Sequence, residues 1–252
     1  MSDAVILPTR RDEAWRYADI PALGRIGVEA LDEWDEIVVP NGETFRLAKV
    51  VGGISPELHR LRIRLGEGAR AEIFVTNAGQ DSTRFEVEVT LDKAAHFEFG
   101  GVTIGGGEAV REFVTTTIHA EPQATSNQTV RSVHWGGGTG NFLGEIKVAR
   151  SAQKTDAAQD FKGLLLEAGA SANAVPQLEI FADDVKCAHG ATVGQLDEAA
   201  RYYMAARGLS PEQAQRLLVQ AFIGDAFVEL EDEADRTQLL DAALAALQGA
   251  SL

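Results

Sequence analysis

Cysteine, methionine and basic residues are all scarce in this chain of 252 residues. A single cysteine, Cys187, cannot form a disulfide within the chain, so a disulfide framework is excluded. The 23 lysine and arginine residues are outnumbered by 38 acidic residues, which gives a formal charge of -15. Because binding to a phosphate backbone depends on clustered positive charge, we expect no nucleic-acid partner.

Long apolar runs are also missing. No run approaches the roughly 20 residues that a helix needs to cross a bilayer, so we expect no membrane span. The first residues, MSDAVILPTRRDEAW, lack the basic, apolar and small-residue zones of a secretory signal peptide. Together with the lack of an internal disulfide, this lack of a signal peptide leads us to expect a cytoplasmic protein.

The hydrophobic content of 45% is ordinary for a globular protein, and three regions differ in their patterns. We predict an N-terminal helical segment over residues 1–40, a β core over 41–194 and a helical subdomain over 195–252. In the first segment, Thr9 followed by Asp12 has capping-box spacing and predicts a helix from Arg10 to Asp19 that Pro21 ends.

Apolar and polar residues alternate through the central region, which is typical of β-strands with one buried face. The turns predicted between these strands include Gly66 to Gly68 and Asp92 to Ala94. The residues that we expect to face the core are Leu61, Ile63, Leu65, Ile73, Val75, Phe85, Val87, Val89, Leu91, Phe97 and Phe99.

The strand pattern also repeats at a roughly regular interval. Leu65 to Leu91 is 26 residues, Leu91 to Ala120 is 29, and Ala120 to Leu166 is 46, which we interpret as two units of 23. Such a period, with two short strands in each unit, predicts a mainly β fold: a flattened β-helix, or β-solenoid, with stacked coils. A β-sandwich or jelly roll remains the structural alternative, because successive hairpins also give weak repeats.

The last region changes to helical periodicity. Ser210 as N-cap, Pro211 in the first turn and Gln213 at the capping-box position predict a helix start. A preceding helix should end at Gly208. A third amphipathic helix is indicated by Leu239, Leu240, Ala243, Leu244 and Leu247. The apolar faces of these helices must close on each other, on the solenoid or on a partner.

Few motifs in the chain indicate chemistry. The glycine clusters at 105–107 and 136–138 lack the Lys-Ser/Thr of a phosphate-binding loop, so we predict turns. His96 should lie on an exposed strand face, and His134 should be half-buried and hydrogen-bonded. Asp183 and Asp184 are the best local acidic pair, with a solvated turn as the alternative interpretation.

Cys187 and His189 stand two residues apart, so in a strand both side chains project from the same face. Both can bind a soft metal, but a closed tetrahedral site takes four ligands and this pair supplies two. By spacing alone, an inert thiol beside an unrelated imidazole remains the stronger interpretation.

Two stretches resemble a known family. ADDVKCAHGATVGQLDEAARYYMAARGLSPEQAQRLLVQAFIGDAF looks like the C-terminal signature of the SufD family of the SUF iron–sulfur cluster assembly system, and PTRRDEAWRYADI resembles its N-terminal element. The related SufB scaffold carries a Glu-His-Glu type motif where this chain has Cys187-Ala188-His189, which favours SufD. Only seven residues precede Pro8, whereas many SufD proteins carry a long helical region there, so the resemblance implies a short version.

The resemblance implies a non-enzymatic scaffold subunit. It would pair with SufB through the β-helix end and dock the ATPase SufC through the surface from Arg201 to Phe227, and it could form a homodimer when alone. Cys187 and His189 would contribute to a transient iron or iron–sulfur site shared with SufB, and His189 is the stronger candidate. Flavin association of the family complex cannot be assigned to residues. The residues implied as SufC anchors are Tyr202, Tyr203 and Phe222.

Two other functional classes stay open on sequence grounds. One is a carbohydrate-active β-helix enzyme, which requires clustered acids or a calcium site on one face. The other is a self-assembling binding module whose working form is a homodimer.

Overall fold

The computed structural model describes residues 6–247 and has a β-solenoid core, as the sequence predicts. Each coil contributes one strand to each of two six-stranded parallel sheets. Sheet A contains the odd-numbered strands and sheet B the even-numbered strands. The strands are β1 (Asp35–Val39), β2 (Thr44–Val51), β3 (Glu57–Leu65), β4 (Arg70–Asn77), β5 (Thr83–Leu91), β6 (His96–Gly105), β7 (Val110–His119), β8 (Thr125–His134), β9 (Thr139–Val148), β10 (Asp156–Leu165), β11 (Ser171–Ile180) and β12 (Lys186–Gly194).

In the described part of the chain, the order of strands leaves a sheet edge at each end of the solenoid. Sheet A runs β1-β3-β5-β7-β9-β11 and sheet B runs β12-β10-β8-β6-β4-β2. Within residues 6–247, β11 and β12 therefore have a strand neighbour on one side only. Their outer edges present unpaired backbone N–H and C=O groups, which favours pairing with another chain.

The coils are longer in the second half of the solenoid. In sheet B, the register partners Thr44, Arg70 and His96 follow one another at a shorter interval than Thr125, Asp156 and Lys186. The prediction of two short units after Ala120 was wrong, because Ala120 follows a strand of sheet A and Leu166 a strand of sheet B. Within sheet A, the register partner of His119 is Val148.

The alternating apolar residues of the sequence fill the space between the sheets. Ile63, Leu65, Ile73 and Phe99 are at most 1% exposed, and the other predicted core residues join the same buried cluster. Phenylalanines pack against one another from coil to coil, with the ring centroids of Phe99 and Phe113 5.4 Å apart. Full burial of side chains of this size contributes roughly 1.5–3 kcal/mol each, so the lumen is the main source of stability.

The N-terminal segment lies on the outer face of sheet A, and its predicted helix is wrong. Thr9 does donate its backbone N–H to Asp12 Oδ2 at 2.7 Å, but only a 3-10 turn, Glu13–Trp15, follows. The helix α1 spans Ile20–Ile26, so Pro21 lies in its first turn, where proline is tolerated. Trp15 stacks on the guanidinium of Arg84, 3.9 Å from its ring centroid, which places the segment on the sheet instead.

Three helices follow the solenoid: α2 (Glu198–Ala206), α3 (Pro211–Gly224) and α4 (Glu233–Ala246). The start of α3 is as predicted, because Ser210 Oγ accepts from the backbone N–H of Gln213 and the Gln213 side chain accepts from the N–H of Ser210. Gly208 follows the end of α2 with a positive φ of 87°. None of the helices in residues 6–247 is both long and apolar enough to cross a membrane.

The outer face of sheet B carries α3 and α4. Phe74 of β4 projects outward and meets Phe227 edge to face, with centroids 6.4 Å apart. The buried leucines of α4, among them Leu239 and Leu244, join this cluster, as predicted for an amphipathic third helix. In contrast, α2 has no fully buried residue, and its two tyrosines remain exposed in the described part of the chain.

Candidate functional site

The edge strand β12 carries both Cys187 and His189. The backbone N–H of Lys186 donates to Thr155 O at 2.8 Å, toward the neighbouring β10. Successive residues of a parallel strand direct their N–H and C=O groups to opposite sides. The backbone groups of Cys187 and His189 therefore point away from β10, toward the open edge.

The side chains of the pair share the face that continues the lumen. Cys187 is in register with Ala157, and His189 with Gln159; both partners on β10 are buried. Cys187 is partly buried against the apolar cluster around Ile146. His189 is exposed, because no further coil of the described residues covers it. The expected common face is thus present, at the mouth of the solenoid.

The environment of Cys187 favours the neutral thiol. Burial raises the pKa of this thiol, and the nearby carboxylate of Asp156 raises it further. Because thiolate is the form that binds metal, a ligand role needs a metal ion or another positive charge to displace the proton. The surroundings of Cys187 within this chain therefore disfavour the thiolate.

The pair supplies an incomplete ligand set. Among residues 6–247, no group of three or more histidine, cysteine or acidic side chains is arranged to hold a metal ion. Thiolate and imidazole are suitable ligands for iron and iron–sulfur clusters, but such sites usually take four. Any cargo bound here needs further ligands from outside this part of the chain.

Asp183 and Asp184 lie in an exposed bend before β12. The backbone N–H of Asp184 donates to Gln153 Oε1 at 3.0 Å, and its carboxylate lies 3.9 Å from Lys154 Nζ. These contacts fit the interpretation of a solvated turn that joins two coils.

The remaining histidines lie away from the edge. His134 is fully buried, not half-buried as expected, and its Nδ1 contacts Gly105 O at 2.9 Å. His96 is partly exposed and contacts Thr125 Oγ1 at 2.7 Å. The glycine clusters at 105–107 and 136–138 form turns between strands, as predicted. The contacts of these histidines and glycines therefore indicate roles in the fold.

The implied SufC anchors differ in exposure. Tyr202 is 79% exposed and Tyr203 is 58% exposed, with the Arg207 guanidinium 4.6 Å from the Tyr203 ring centroid. Phe222 is half-buried and packs against the cluster between α4 and sheet B. It also lines a cleft of about 330 Å³ with Val193, where the end of β12 meets α3. The end of the edge strand and α3 therefore line a common cleft.

One residue of this region escaped the sequence analysis. Gln159 is buried in the lumen at the register position beside His189, but the two lie a full coil apart in the sequence. Only the exact number of residues in this coil would have placed Gln159 beside His189, and the sequence pattern does not show that number. A lone glutamine in an alternating strand carries no motif.

Comparison with known proteins gives the family. The profile of the SUF system FeS cluster assembly SufBD core domain matches residues 36–222. The chain is 33% identical over 164 residues to an iron–sulfur cluster assembly SufBD family protein of Synechocystis, covering 65% of this chain and 36% of that protein. It is 38% identical over 122 residues to iron–sulfur cluster assembly protein SufD of Escherichia coli, covering 48% of this chain and 29% of that protein.

A third relative is SufD of Bacillus subtilis, 32% identical over 139 residues, covering 55% of this chain and 32% of that protein. The matched parts thus span about a third of each of these relatives. The family match covers most of the solenoid together with β12, α2 and most of α3. The chain belongs to the SufBD family of the SUF iron–sulfur cluster assembly system.

Proposed function

We propose that this chain is a non-enzymatic, SufD-like scaffold subunit that pairs with SufB and docks the ATPase SufC. Cys187 and His189 contribute ligands to iron or a nascent cluster at the interface with SufB. The cluster is cargo, built and handed on, and ATP hydrolysis resides in SufC. A cytoplasmic location follows from this role.

One observation carries the proposal: among the described residues, the Cys187 and His189 pair lies on an edge strand whose outer side is unpaired, and its ligand set is incomplete. A site on one chain that must release its cargo gains from being completed by another chain. The apolar side chains of Ile180, Phe181 and Val193, which are 38%, 56% and 48% exposed, lie at the same end and favour burial against a partner.

The exposed surface of α2 supports the docking of SufC. This helix has no buried residue, and its two tyrosines are exposed, as is Leu217 of α3 at 45%. Tyrosines of this kind are frequent anchors at interfaces. Because α3 and the end of β12 line the same cleft at Phe222, a shift of α3 under a docked ATPase would change the surroundings of the edge strand. Flavin association remains without assigned residues.

The domain division at residues 40 and 194 belongs to the same proposal, with the solenoid as the scaffold and the final region as the docking unit. Alone, the chain can pair its free edges with those of a second copy. A homodimer in the absence of SufB is therefore compatible with the scaffold role.

Co-expression with SufB and SufC of the same organism tests the partner assignment. We expect affinity-purified chain to retain both proteins. Loss of both from the purified material, with the chain itself folded, would remove the partner assignment.

Replacement of the pair tests the ligand assignment. We expect His189→Ala to reduce cluster formation in the assembled complex at least tenfold, and Cys187→Ala to reduce it less. Thr192→Ala is the matched control, because Thr192 is exposed on the same strand but has the opposite side-chain direction. Normal cluster formation in the variant with both Cys187 and His189 replaced would contradict the ligand role and leave the scaffold role intact.

A further inference from the structure

The lumen beside the open edge holds a buried amide without a partner. Gln159 is 2% exposed, and neither its Nε2 nor its Oε1 has a hydrogen-bond partner among residues 6–247. Both a donor and an acceptor are thus buried without a protein partner, an arrangement that costs folding free energy compared with a paired amide. Such a group calls for a role outside the stability of the isolated chain.

In the preceding coil, the glutamine at the corresponding position has hydrogen-bond partners for both ends of its amide. Gln128 is the register partner of Gln159 and is also fully buried. Its Oε1 accepts from Thr115 Oγ1 at 2.6 Å, and its Nε2 donates to Thr117 Oγ1 at 3.0 Å. A glutamine at this place in the lumen can therefore be fully paired by two threonines of the opposite sheet.

The next coil lacks those hydroxyl groups. Gly144 and Ile146 are the register partners of Thr115 and Thr117 on β9, and neither side chain can hydrogen-bond. Gly144 also leaves room for the amide, because a Cβ there would lie 2.8 Å from Gln159 Nε2. The glutamine thus recurs in the next coil, but the two threonines that pair with it in the preceding coil do not.

The column of side chains continues to His189. Gln128, Gln159 and His189 are successive register partners on β8, β10 and β12. Neighbouring strands lie about 4.8 Å apart, so an amide and an imidazole in this arrangement come within hydrogen-bond reach by rotation about side-chain bonds. Within the described residues, the His189 side chain makes no hydrogen bond or ion pair.

We infer that Gln159 is a positioning residue for His189. Its Oε1 accepts the N–H of one ring nitrogen, which fixes the tautomer and leaves the lone pair of the other nitrogen for iron. Histidine ligands of metals usually donate their second nitrogen to a carbonyl or carboxylate in this way. The inference rests on the proposed ligand role of His189 and adds the group that orients it.

The first test measures the His189 tautomer in the isolated full chain by ¹⁵N NMR, with the signal assigned by its loss in His189→Ala. We expect Gln159→Leu to change the tautomer ratio at least threefold, and Gln159→Glu, which keeps an acceptor, to retain the native tautomer. Gln128→Leu is the matched control and should leave the ratio unchanged. An unchanged ratio in Gln159→Leu, or an equal change in Gln128→Leu, would overturn the inference.

The second test separates positioning from packing. Gln159→Leu removes a buried amide whose one inferred partner, His189, is exposed and can bond to water instead, so its urea midpoint should equal or exceed that of the native chain. Gln128→Leu leaves Thr115 and Thr117 unpaired and should lower the midpoint. If Gln159→Leu lowers the midpoint as much as Gln128→Leu, the amide serves structure and the inference is wrong.

The two proposals fail separately. If the tautomer depends on Gln159 but His189→Ala still assembles clusters normally, the ligand role is wrong and the contact stands. If His189→Ala abolishes cluster assembly but the His189 tautomer ratio is unchanged in Gln159→Leu, the ligand role of His189 stands and the positioning role of Gln159 is wrong.

Discussion

Arg131 of β8 and Asp225, after α3, join the solenoid to the helical region. The Arg131 guanidinium is buried and donates from Nε to Asp225 Oδ2 at 3.1 Å; it also donates to Asp160 Oδ2 at 2.5 Å. The hydrogen bond from Arg131 lowers the pKa of Asp225. Because β8, β10 and the helical region meet at this one guanidinium, it fixes how the helices lie on sheet B.

The Arg131 cluster should respond non-additively to mutation. Asp160 and Asp225 are about half exposed, so we expect either alanine substitution alone to cost about 1 kcal/mol of unfolding free energy. The double substitution leaves a buried guanidinium without a carboxylate and should cost about 3–5 kcal/mol. Urea unfolding of the two single variants and the double variant measures this coupling, and strictly additive costs would contradict it.

Acid should begin to destabilise the fold near pH 6.5, before most carboxylates titrate. Burial lowers the pKa of His134 to about 3 and that of His119 to about 4, from 6.5. Since both folded values lie below the unfolded one, stability is complete above pH 6.5 and falls as pH drops from 6.5 toward 4. Each histidine contributes a slope of about 1.4 kcal/mol per pH unit in this window.

Urea unfolding at pH values from 7 to 4.5 measures that slope. His134→Gln should roughly halve it, whatever its effect on absolute stability, and the double variant with His119→Gln should nearly abolish it. A native chain with constant stability between pH 6.5 and 4.5 would show that the two rings are not held neutral by burial.

Gly144→Ala should destabilise the solenoid. An added Cβ would lie 2.5 Å from Phe142 Cζ and 2.8 Å from Gln159 Nε2, which is closer than packing permits. Overpacking of this kind costs about 1–3 kcal/mol. Gly194→Ala is the control, because nothing lies within 4 Å of its added Cβ, and it should change stability by less than about 0.5 kcal/mol. Equal effects of the two substitutions in thermal or urea unfolding would refute the steric argument.

Tyr202→Ala should weaken SufC retention without weakening the fold. The side chain is 79% exposed, so we expect a change in unfolding free energy of less than about 0.5 kcal/mol. If Tyr202 is an interface anchor, SufC binding should weaken by at least about 2 kcal/mol, or thirtyfold, in a titration.

Two controls accompany that titration. Ile54→Ala changes an 84% exposed side chain far from α2 in sequence and should leave SufC binding intact. Phe222→Ala should lower stability by about 2 kcal/mol, because this side chain packs on the cluster between α4 and sheet B. Unchanged SufC binding in Tyr202→Ala would remove Tyr202 from the docking surface.

Local patterns predicted most of the regular structure. The alternation of Leu61, Ile63 and Leu65 identified a strand and its buried face, because successive side chains of a strand point to opposite sides. Ser210 and Gln213 identified the start of α3, because a capping box depends on residues three apart. The same local contact misled at Thr9 and Asp12, where packing of Trp15 on Arg84 takes the place of a helix.

The sequence by itself determined the strands, the three C-terminal helices and the shared face of Cys187 and His189, since each depends on neighbours within a few residues. Its longer repeat favoured stacked coils but left a sandwich as the alternative. Only the tertiary structure decided the register between coils, because strands lengthen from eight residues in β2 to ten in β8 and the period changes with them. That register places Gln159 beside His189 and leaves β12 at an open edge. The strand pairings between distant parts of the sequence therefore place Cys187 and His189 at the edge of sheet B.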